Sequence, residues 1–489
     1  MPFMDGHSEL FWSSRVRMVS SLFGEGWFLL VLPGQSVMNR SPIYPLDEEV
    51  GRLVRHCKLD LHAGSGRIAK HGDPSNVLSQ IIEHFQRASG KHVVGPSEIE
   101  FAASCVVPAE GNCLLFLQNE SGVRLNRLFG EGLTITGENA DGSFELNCPR
   151  FYVEDTSPAS EDPAWAIASP VNSQVGIKYG NPRPTASVTA IINNFDFEYG
   201  NVSLGHEQTE LLRIQGWGRT VEFVWREDHQ RLKQLLNVGV LRTSALTTFS
   251  FAAWEGATEE DLSAFAYGIA SLCGIVAQQH TGIPILTFLD KDGRVIKRLL
   301  NNAVESDFRS DYCLRFLHFE GGLPQVFAQC FDEHMKMLRS DLWKRLPWLL
   351  AGIEDPPYLE QKSATLMAAL ELFIRSSLVE AGICSLEKAS QTMFPGLISA
   401  ARKKLHWDIP PHYTQKERYR LLRNAVAHGG QLPGEIKQVR HDFDKWRLFL
   451  LRRLLLRLGF NGEVASPEQG CASSSSVGDF TERHNSFET

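Results

Sequence analysis

Two hydrophobic periodicities divide the chain. Across residues 36–320, apolar positions alternate with polar ones in short runs, as at Val221, Phe223 and Trp225, and this period of two predicts half-buried strands. From about Leu323 onward, apolar positions recur every three or four residues, which predicts helices. The pattern therefore indicates an α+β protein, with a β-rich N-terminal region followed by an all-α helical bundle.

Turn and capping signals delimit the individual elements. Strands are predicted at 101–107, 113–117, 133–136, 144–147, 187–199, 220–225, 285–289 and 294–299, and an amphipathic helix at about 75–88. The capping box Thr258-Glu-Glu-Asp261 begins a second helix that runs to about Ala277, and Asp290-Lys-Asp-Gly293 predicts a hairpin turn. The stretch 155–183, rich in Pro, Ser and Asn, predicts a long surface loop.

These signals divide the chain into four regions. Residues 1–35 form a poorly defined leader, and 36–320 form the β-rich region, either as one unit or as two subdomains split near 155–185. Residues 323–460 are expected to form an antiparallel bundle of four or five helices, because Gly and Pro breakers separate the helical runs. Residues 461–489, rich in Gly and Ser, are predicted to be disordered.

Charge is unevenly distributed along the chain. The net charge is −8, yet residues 401–460 contain 14 Lys and Arg against five Asp and Glu, a balance of +9, so the remainder carries −17. A basic module on an acidic body suits one anionic partner bound at one place. The alternative is that Arg-rich helices are simply well solvated.

Cysteine usage, hydropathy and the absence of known motifs argue against a metal site, a membrane span and several common enzyme classes. The nine cysteines include no C-x-x-C pair and no zinc-like spacing with His, so we expect no metal, no other cofactor, and reduced thiols in the cytoplasm. The apolar run 18–33 is interrupted by Gly24-Glu25-Gly26, and we expect no span long enough to cross a bilayer. The N-terminal half has no P-loop, dinucleotide-binding or zinc-protease motif.

The segment 421–430, Leu-Leu-Arg-Asn-Ala-Val-Ala-His-Gly-Gly, carries the most specific chemistry. Arg423 supplies a permanent cation that binds phosphate oxygens, and His428 can transfer protons near neutral pH. An Arg-x4-His spacing alone is weak, since Arg87 and His92 repeat it. The Asn after the Arg, the Gly after the His and a capped helix make the C-terminal instance far more specific.

Arg423-Asn-Ala-Val-Ala-His-Gly429 resembles the motif of HEPN-domain proteins, whose active members are metal-independent endoribonucleases. The long helix containing 368–375 and the divergent N-terminal half are similar to the Apea-like branch, found in prokaryotic anti-phage and abortive-infection systems. The resemblance is specific over about residues 366–458. It implies RNA as substrate, a HEPN bundle that forms a homodimer or higher homo-oligomer, and an N-terminal sensor or regulatory region with an unknown trigger.

The spacing of the motif constrains how it could act. Thr414-Gln-Lys-Glu417 is a capping box and Gly429 suits a helix end, so a helix is predicted over about 415–428. Asn424 and His428 then share one face, whereas Arg423 and His428 are about 140° apart. Either the last turn unwinds at Gly429, or a second copy of the helix contributes, as the resemblance implies.

The resemblance also assigns roles. Arg423, Asn424 and His428 are the catalytic candidates, in a reaction that leaves 2′,3′-cyclic phosphate ends. Arg420, Glu417 and Glu371 are weaker candidates for binding the substrate, and Glu371 would hold Arg423 or Arg375. Three alternatives remain: a HEPN scaffold without activity that binds RNA or a partner protein, a nucleotide-binding module without turnover, or an ordinary helix end where His is favoured by the helix dipole.

Overall fold

The computed structural model describes most of the chain between residues 79 and 476. The described ranges are 79–92, 98–108, 113–119, 132–139, 142–156, 164–171, 174–197, 211–216, 218–226, 229–237, 245–301, 322–354, 356, 358–409, 436–465 and 474–476. The predicted leader at 1–35 and the predicted motif helix at 415–428 lie outside these ranges.

Fourteen strands in the described ranges form one antiparallel sheet. They are β1 (Ser79–His92), β2 (Glu98–Pro108), β3 (Leu114–Asn119), β4 (Leu133–Asn139), β5 (Gly142–Cys148), β6 (Phe151–Thr156), β7 (Ala164–Pro170), β8 (Val175–Tyr179), β9 (Ser187–Asn193), β10 (Leu211–Gly216), β11 (Arg219–Trp225), β12 (Thr247–Ala252), β13 (Gly282–Leu289) and β14 (Val295–Leu300). The strand order is β10-β11-β12-β9-β13-β14-β8-β5-β4-β1-β2-β3-β7-β6.

Helices dominate the C-terminal part. The described helices are α1 (His229–Asn237), α2 (Glu259–Ala277), α3 (Gly322–Arg339), α4 (Leu346–Ala351), α5 (Leu359–Glu380), α6 (Leu386–Gln391), α7 (Phe394–Lys404) and α8 (Ile436–Arg457). The observed order, a β-rich N-terminal half followed by helices, is the α+β class that the hydrophobic periodicity predicted.

Strand alternation divides the buried side chains between two cores. In β13, Leu286 and Phe288 pack in the core that the helices cover, whereas Ile285 points to the other face and packs with β2–β5, β7 and β8. This follows from the period of two, which sends successive side chains to opposite faces. The helical core extends from the β9–β12 strands through α2, α3 and α5 to α8.

Local signals correctly predicted two elements of the helical core. Thr258 caps α2: its side chain accepts a hydrogen bond from the Asp261 N–H, and the Asp261 carboxylate accepts one from the Thr258 N–H. The β13–β14 hairpin turns at 290–293, where Asp290 Oδ1 accepts hydrogen bonds from the N–H groups of Asp292 and Arg294. Both turns satisfy backbone donors that water would otherwise bind.

Two sequence predictions are wrong. Residues 79–88 form the first part of β1, where we predicted a helix, because β1 pairs with β2 on one side and β4 on the other. The β1–β2 register shifts twice, between Ile81 and Glu83 and between Phe85 and Ala88. Such bulges break the period of two and leave an apolar spacing that resembles a helix.

The predicted loop at 155–183 contains the end of β6 and all of β7 and β8. Strand β8 pairs with β5 on one side and β14 on the other, so the sheet continues through it. Its alternation, with Val175 and Ile177 buried, spans only five residues, too few to stand out among the Pro and Ser of this stretch. The alternative of two subdomains split near 155–185 stays a prediction.

The region predicted to be a disordered tail contains a short pair of strands. β15 (Glu463–Ala465) and β16 (Ser474–Ser476) pair in antiparallel register, and the disorder expected over 461–489 stays a prediction.

Helix α5 is the centre of the C-terminal bundle. Helices α4, α6, α7 and α8 all pack against it, and α2 packs on α3 and α4. Close approach of α2 and α3 depends on Gly268, where a Cβ would come 2.2 Å from Met335 Sδ. The bundle is therefore continuous with the helical layer on the sheet.

One described helix, α2, is long and apolar enough to cross a membrane by length and composition, which our sequence analysis overlooked. Of its most apolar window, 67% is buried inside the protein. A buried core helix passes the same test, so α2 is weak evidence of a membrane span.

Candidate functional site

The described residues bracket the motif segment. Arg423, Asn424 and His428, together with Arg420 and Glu417, lie outside the described residues. On the N-terminal side, Ile409 is 1% exposed, and on the C-terminal side Val439 is 3% exposed; both belong to the helical core. The described residues on both sides of the motif segment therefore belong to the bundle core.

Trp407 lies just before the motif segment in the chain and packs against two helices of the bundle. Its ring lies 5.4 Å from Phe373 of α5 and 6.3 Å from Phe449 of α8, measured between ring centroids. The Arg453 guanidinium stacks over Trp407 at 5.4 Å, and the Trp407 N–H donates to the Ala401 carbonyl. These contacts tie the end of α7 to both α5 and α8.

Glu371, the one predicted site residue that is described, lies on α5. Its carboxylate forms an ion pair with Arg375 one turn later, at 3.1 Å. The Glu371 side chain is 14% exposed and that of Arg375 30%. Of the two partners we expected, the structure therefore shows Arg375, and Arg423 lies outside the described residues.

A second acidic residue, Glu354, is the centre of a buried charge cluster that the sequence analysis missed. It lies between α4 and α5 and is fully buried. Its Oε2 accepts a hydrogen bond from Lys362 Nζ at 2.6 Å, and its Oε1 accepts one from an Arg447 amino group at 2.5 Å. Arg440 lies 3.6 Å from the same oxygen. We refer to Glu354, Lys362, Arg440, Asp444 and Arg447 as the Glu354 cluster.

Opposing effects set the pKa of Glu354. Burial alone would raise the pKa of this carboxyl, but Arg447, Lys362 and Arg440 more than offset it, so the pKa is lowered from its ordinary value. The carboxylate is therefore charged at neutral pH. It connects the start of α5 to α8, because Lys362 belongs to one helix and Arg447 to the other.

The sequence did contain a signal for this cluster. Arg440, Asp444 and Arg447 are spaced by four and three residues, so they share one face of α8. Asp444 pairs with Arg440 at 3.1 Å and approaches Arg447 at 3.6 Å. Charged residues at that spacing within an apolar helix indicate a buried network, although their partner Glu354 is too distant in sequence to predict.

Helix α8 is apolar on most of its surface because many of its side chains are buried in the core of this chain. Nine apolar side chains are buried in the core: Val439, Phe443, Trp446, Phe449, Leu450, Leu451, Leu454, Leu455 and Leu458. The structure shows that this helix packs in the bundle, against α5. Its most exposed apolar residue in the described range is Leu456, at 40%.

A third cluster lies in the N-terminal half, where the sequence analysis found none. Asp196 is fully buried after β9, and its Oδ1 lies 3.2 Å from His229 Nε2 of α1. Lys233, one turn further along α1, lies 3.4 Å from Oδ2. The His229 ring stacks on Trp225 at 4.6 Å. These contacts attach α1 to the sheet, and the Lys233 ammonium offsets part of the cost of burying Asp196.

Two further histidines are held neutral by the packing. Burial lowers the pKa of His334, on α3, to about 3, against the opposite effect of a hydrogen bond with the Gly268 backbone. Burial also lowers the pKa of His280, which stacks on Trp348, to about 4. Both imidazoles are therefore neutral near pH 7, where histidine commonly exchanges protons in catalysis.

Within the described ranges, no group of three or more His, Cys, Asp or Glu is arranged to hold a metal ion. None of the six described cysteines forms a disulfide, and five of them are buried.

Comparison of the chain with protein-family models, with curated proteins and with solved structures found no match.

Proposed function

We propose that this protein is a metal-independent endoribonuclease of the Apea-like HEPN type, with Arg423, Asn424 and His428 as its catalytic residues. The proposal includes a regulated role in prokaryotic anti-phage defence, in the cytoplasm, with the β-rich region sensing the trigger. A homodimer or higher homo-oligomer through the bundle completes the site.

One observation carries the proposal: the segment with the Arg-Asn-x3-His-Gly pattern is anchored at both ends in a helical core. Ile409 precedes the segment and Val439 follows it, and both are buried. A phosphate-binding Arg and a proton-transferring His are thus carried by a stretch whose ends have fixed positions. Rigid support of this kind is what positions catalytic groups.

The proposed reaction uses the substrate's own nucleophile. The ribose 2′-OH attacks the adjacent phosphorus, the P–O5′ bond breaks, and the products are a 2′,3′-cyclic phosphate and a 5′-OH. His428 removes the 2′-OH proton or protonates the leaving 5′ oxygen, and Arg423 stabilises charge on the pentacoordinate phosphate. Asn424 orients His428 or contacts the substrate. Arg420, Glu417 and the Glu371–Arg375 pair are candidates for substrate contacts around them.

The experiment that tests the proposal compares cleavage of transfer RNA and total RNA in excess EDTA. The wild type is compared with His428→Ala and Arg423→Ala, and a matched control replaces Arg87 and His92, the second Arg-x4-His pair, by Ala. We expect cleavage that survives chelation, is lowered by at least about 100-fold in both C-terminal variants and persists in the control.

The purified protein would not cleave RNA if the enzyme needs a cellular trigger. The same variants are therefore also expressed in cells, and growth is measured. We expect the wild type to slow growth and His428→Ala not to. The proposal fails if the purified proteins do not cleave RNA and wild type and His428→Ala are equally tolerated. That result would favour the scaffold that binds RNA or a partner protein without cleaving.

A further inference from the structure

Three consecutive cations at the end of α7 are exposed. Arg402, Lys403 and Lys404 form the last turn of this helix, and each is solvent-exposed. Among the described residues, none of the three forms an ion pair or a hydrogen bond with a side chain. We call them the α7 basic end.

Most of the other described cations of the basic module form ion pairs or ring contacts, and Lys437 is exposed. Arg440 and Arg447 pair with Glu354, and Arg457 pairs with Glu380 at 2.7 Å. Arg453 stacks over Trp407 and Phe449, where burial lowers its pKa against an opposing effect from Asp408. Arg339, Arg345, Lys388 and Lys437 are also exposed in the described part of the bundle, but they lie apart from one another along the chain. The α7 basic end differs because its three exposed cations are consecutive.

The α7 basic end has a fixed position. Leu397, Ile398 and Ala401 are buried on the inner face of the helix, and the Leu405 N–H donates to the Ala401 carbonyl to close its last turn. Successive residues turn by about 100°, so the three cations fan out around the helix end and do not converge on one point. A fan of cations suits several phosphates of a flexible strand, not one small anion.

We propose that the α7 basic end binds the phosphate backbone of single-stranded RNA, as a docking surface for the ribonuclease proposed above, on which this inference rests. Binding is independent of sequence, because three separate cations contact phosphates and none reads a base edge. The surface sets affinity and takes no part in the chemical step.

Helix electrostatics offer a competing explanation. Cations in the last turn of a helix interact favourably with its C-terminal carbonyls, and this would make the α7 basic end a stabilising feature only. The two explanations differ in what removal of the charges changes: the stability of the fold in one case, and the salt-dependent affinity for RNA in the other.

The test uses the full chain and a fluorescein-labelled 20-nucleotide 2′-O-methyl RNA, which the proposed reaction cannot cleave. Arg402→Gln/Lys403→Gln/Lys404→Gln is compared with Lys336→Gln/Arg339→Gln/Lys344→Gln, which removes the same charge from exposed positions at and beyond the end of α3. Anisotropy gives Kd between 50 and 300 mM salt.

We expect the α7 variant to bind about tenfold or more weakly at low salt, and the slope of log Kd against log salt to fall by about 2, at roughly 0.7 for each phosphate that is no longer neutralised. The α3 variant should stay within about twofold of the wild type. Lys403→Arg/Lys404→Arg keeps the charge and should keep the affinity. The unfolding midpoint of each variant confirms that it is folded.

Unchanged RNA affinity in a folded α7 variant overturns the inference, as does an equal weakening in the α3 variant. Binding to phosphatidylserine vesicles is measured for the same variants. A loss of vesicle binding without a loss of RNA affinity also overturns the inference. The outcome is distinguishable from that of the proposed function, because affinity is measured on an RNA that cannot be cleaved and cleavage is measured separately on one that can. If the wild type binds RNA through the α7 basic end but never cleaves it, the proposed docking surface is supported and the proposed ribonuclease activity is contradicted.

Discussion

At the scale of single residues, we expect Glu354 to contribute more to the bundle's stability than any residue the sequence singled out. Its carboxylate is fully buried between Lys362 and Arg447. Replacing one partner of a buried network leaves the others charged and without compensation, which costs far more than the net worth of the pair.

We therefore expect Glu354→Gln to lower the free energy of unfolding by about 3–5 kcal/mol, measured by urea denaturation. Glu380→Gln is the matched control, because Glu380 also pairs with an α8 arginine but its side chain is 44% exposed. That variant should change stability by less than about 1 kcal/mol. Equal effects of the two substitutions would show that burial does not govern the network.

His334 makes the stability of the protein depend on pH. Its pKa in the folded state is about 3, below the ordinary 6.5, so between these values the unfolded chain binds a proton that the folded chain does not. Stability from this residue is present above pH 6.5 and is lost as the pH falls toward 3. His280, lowered to about 4, acts in the same direction.

We expect the free energy of unfolding to fall by about 2 kcal/mol between pH 7 and pH 5 through His334 alone. His334→Leu should flatten that slope, leaving the part due to His280. Met335→Leu, a neighbouring buried position without a titrating group, should keep the wild-type slope. A slope that is the same in His334→Leu and wild type would contradict the assignment.

At the scale of elements, local chemistry was the most reliable guide. The α2 capping box and the β13–β14 turn were predicted because a few adjacent residues satisfy the backbone by themselves. Strands β1 and β8 were missed for the opposite reason. Their conformation depends on partners far along the chain, and bulges or short length hide their alternation.

The α2 cap provides a direct test of such local control. Thr258→Ala removes the hydroxyl that accepts from the Asp261 N–H, and we expect it to cost about 1 kcal/mol of unfolding free energy. Thr258→Ser keeps the hydroxyl and should lie within a few tenths of the wild type. Chemical denaturation of both variants measures the difference. Equal losses would mean that the cap contributes nothing beyond side-chain packing.

At the scale of the whole molecule, the sequence predicted the class and order of the two regions but not how they are joined. A period of two followed by a helical period was sufficient for α+β. It could not show that β8 joins the strands into one sheet, nor that α2 and α3 connect the sheet to the bundle. Those contacts are long-range, and no periodicity records them.

Some residues of the candidate sites could be predicted from the sequence, and others only from the fold. Arg423, Asn424 and His428 stand out in the sequence because their types and spacing carry chemistry, whereas Glu354 and Asp196 acquire meaning only from residues brought to them by the fold. The proposed nuclease motif lies on a segment flanked by Ile409 and Val439, both of which are buried in the bundle core.

The most direct test of that account is the chemistry of cleavage itself. An end-labelled RNA that the wild type cuts in EDTA is compared with the same RNA carrying 2′-O-methyl groups throughout, and the product ends are identified by mass spectrometry. The account predicts 2′,3′-cyclic phosphate and 5′-OH ends from the first RNA and no cleavage of the second. Cleavage of the methylated RNA, or cleavage that persists undiminished in His428→Ala, would contradict it.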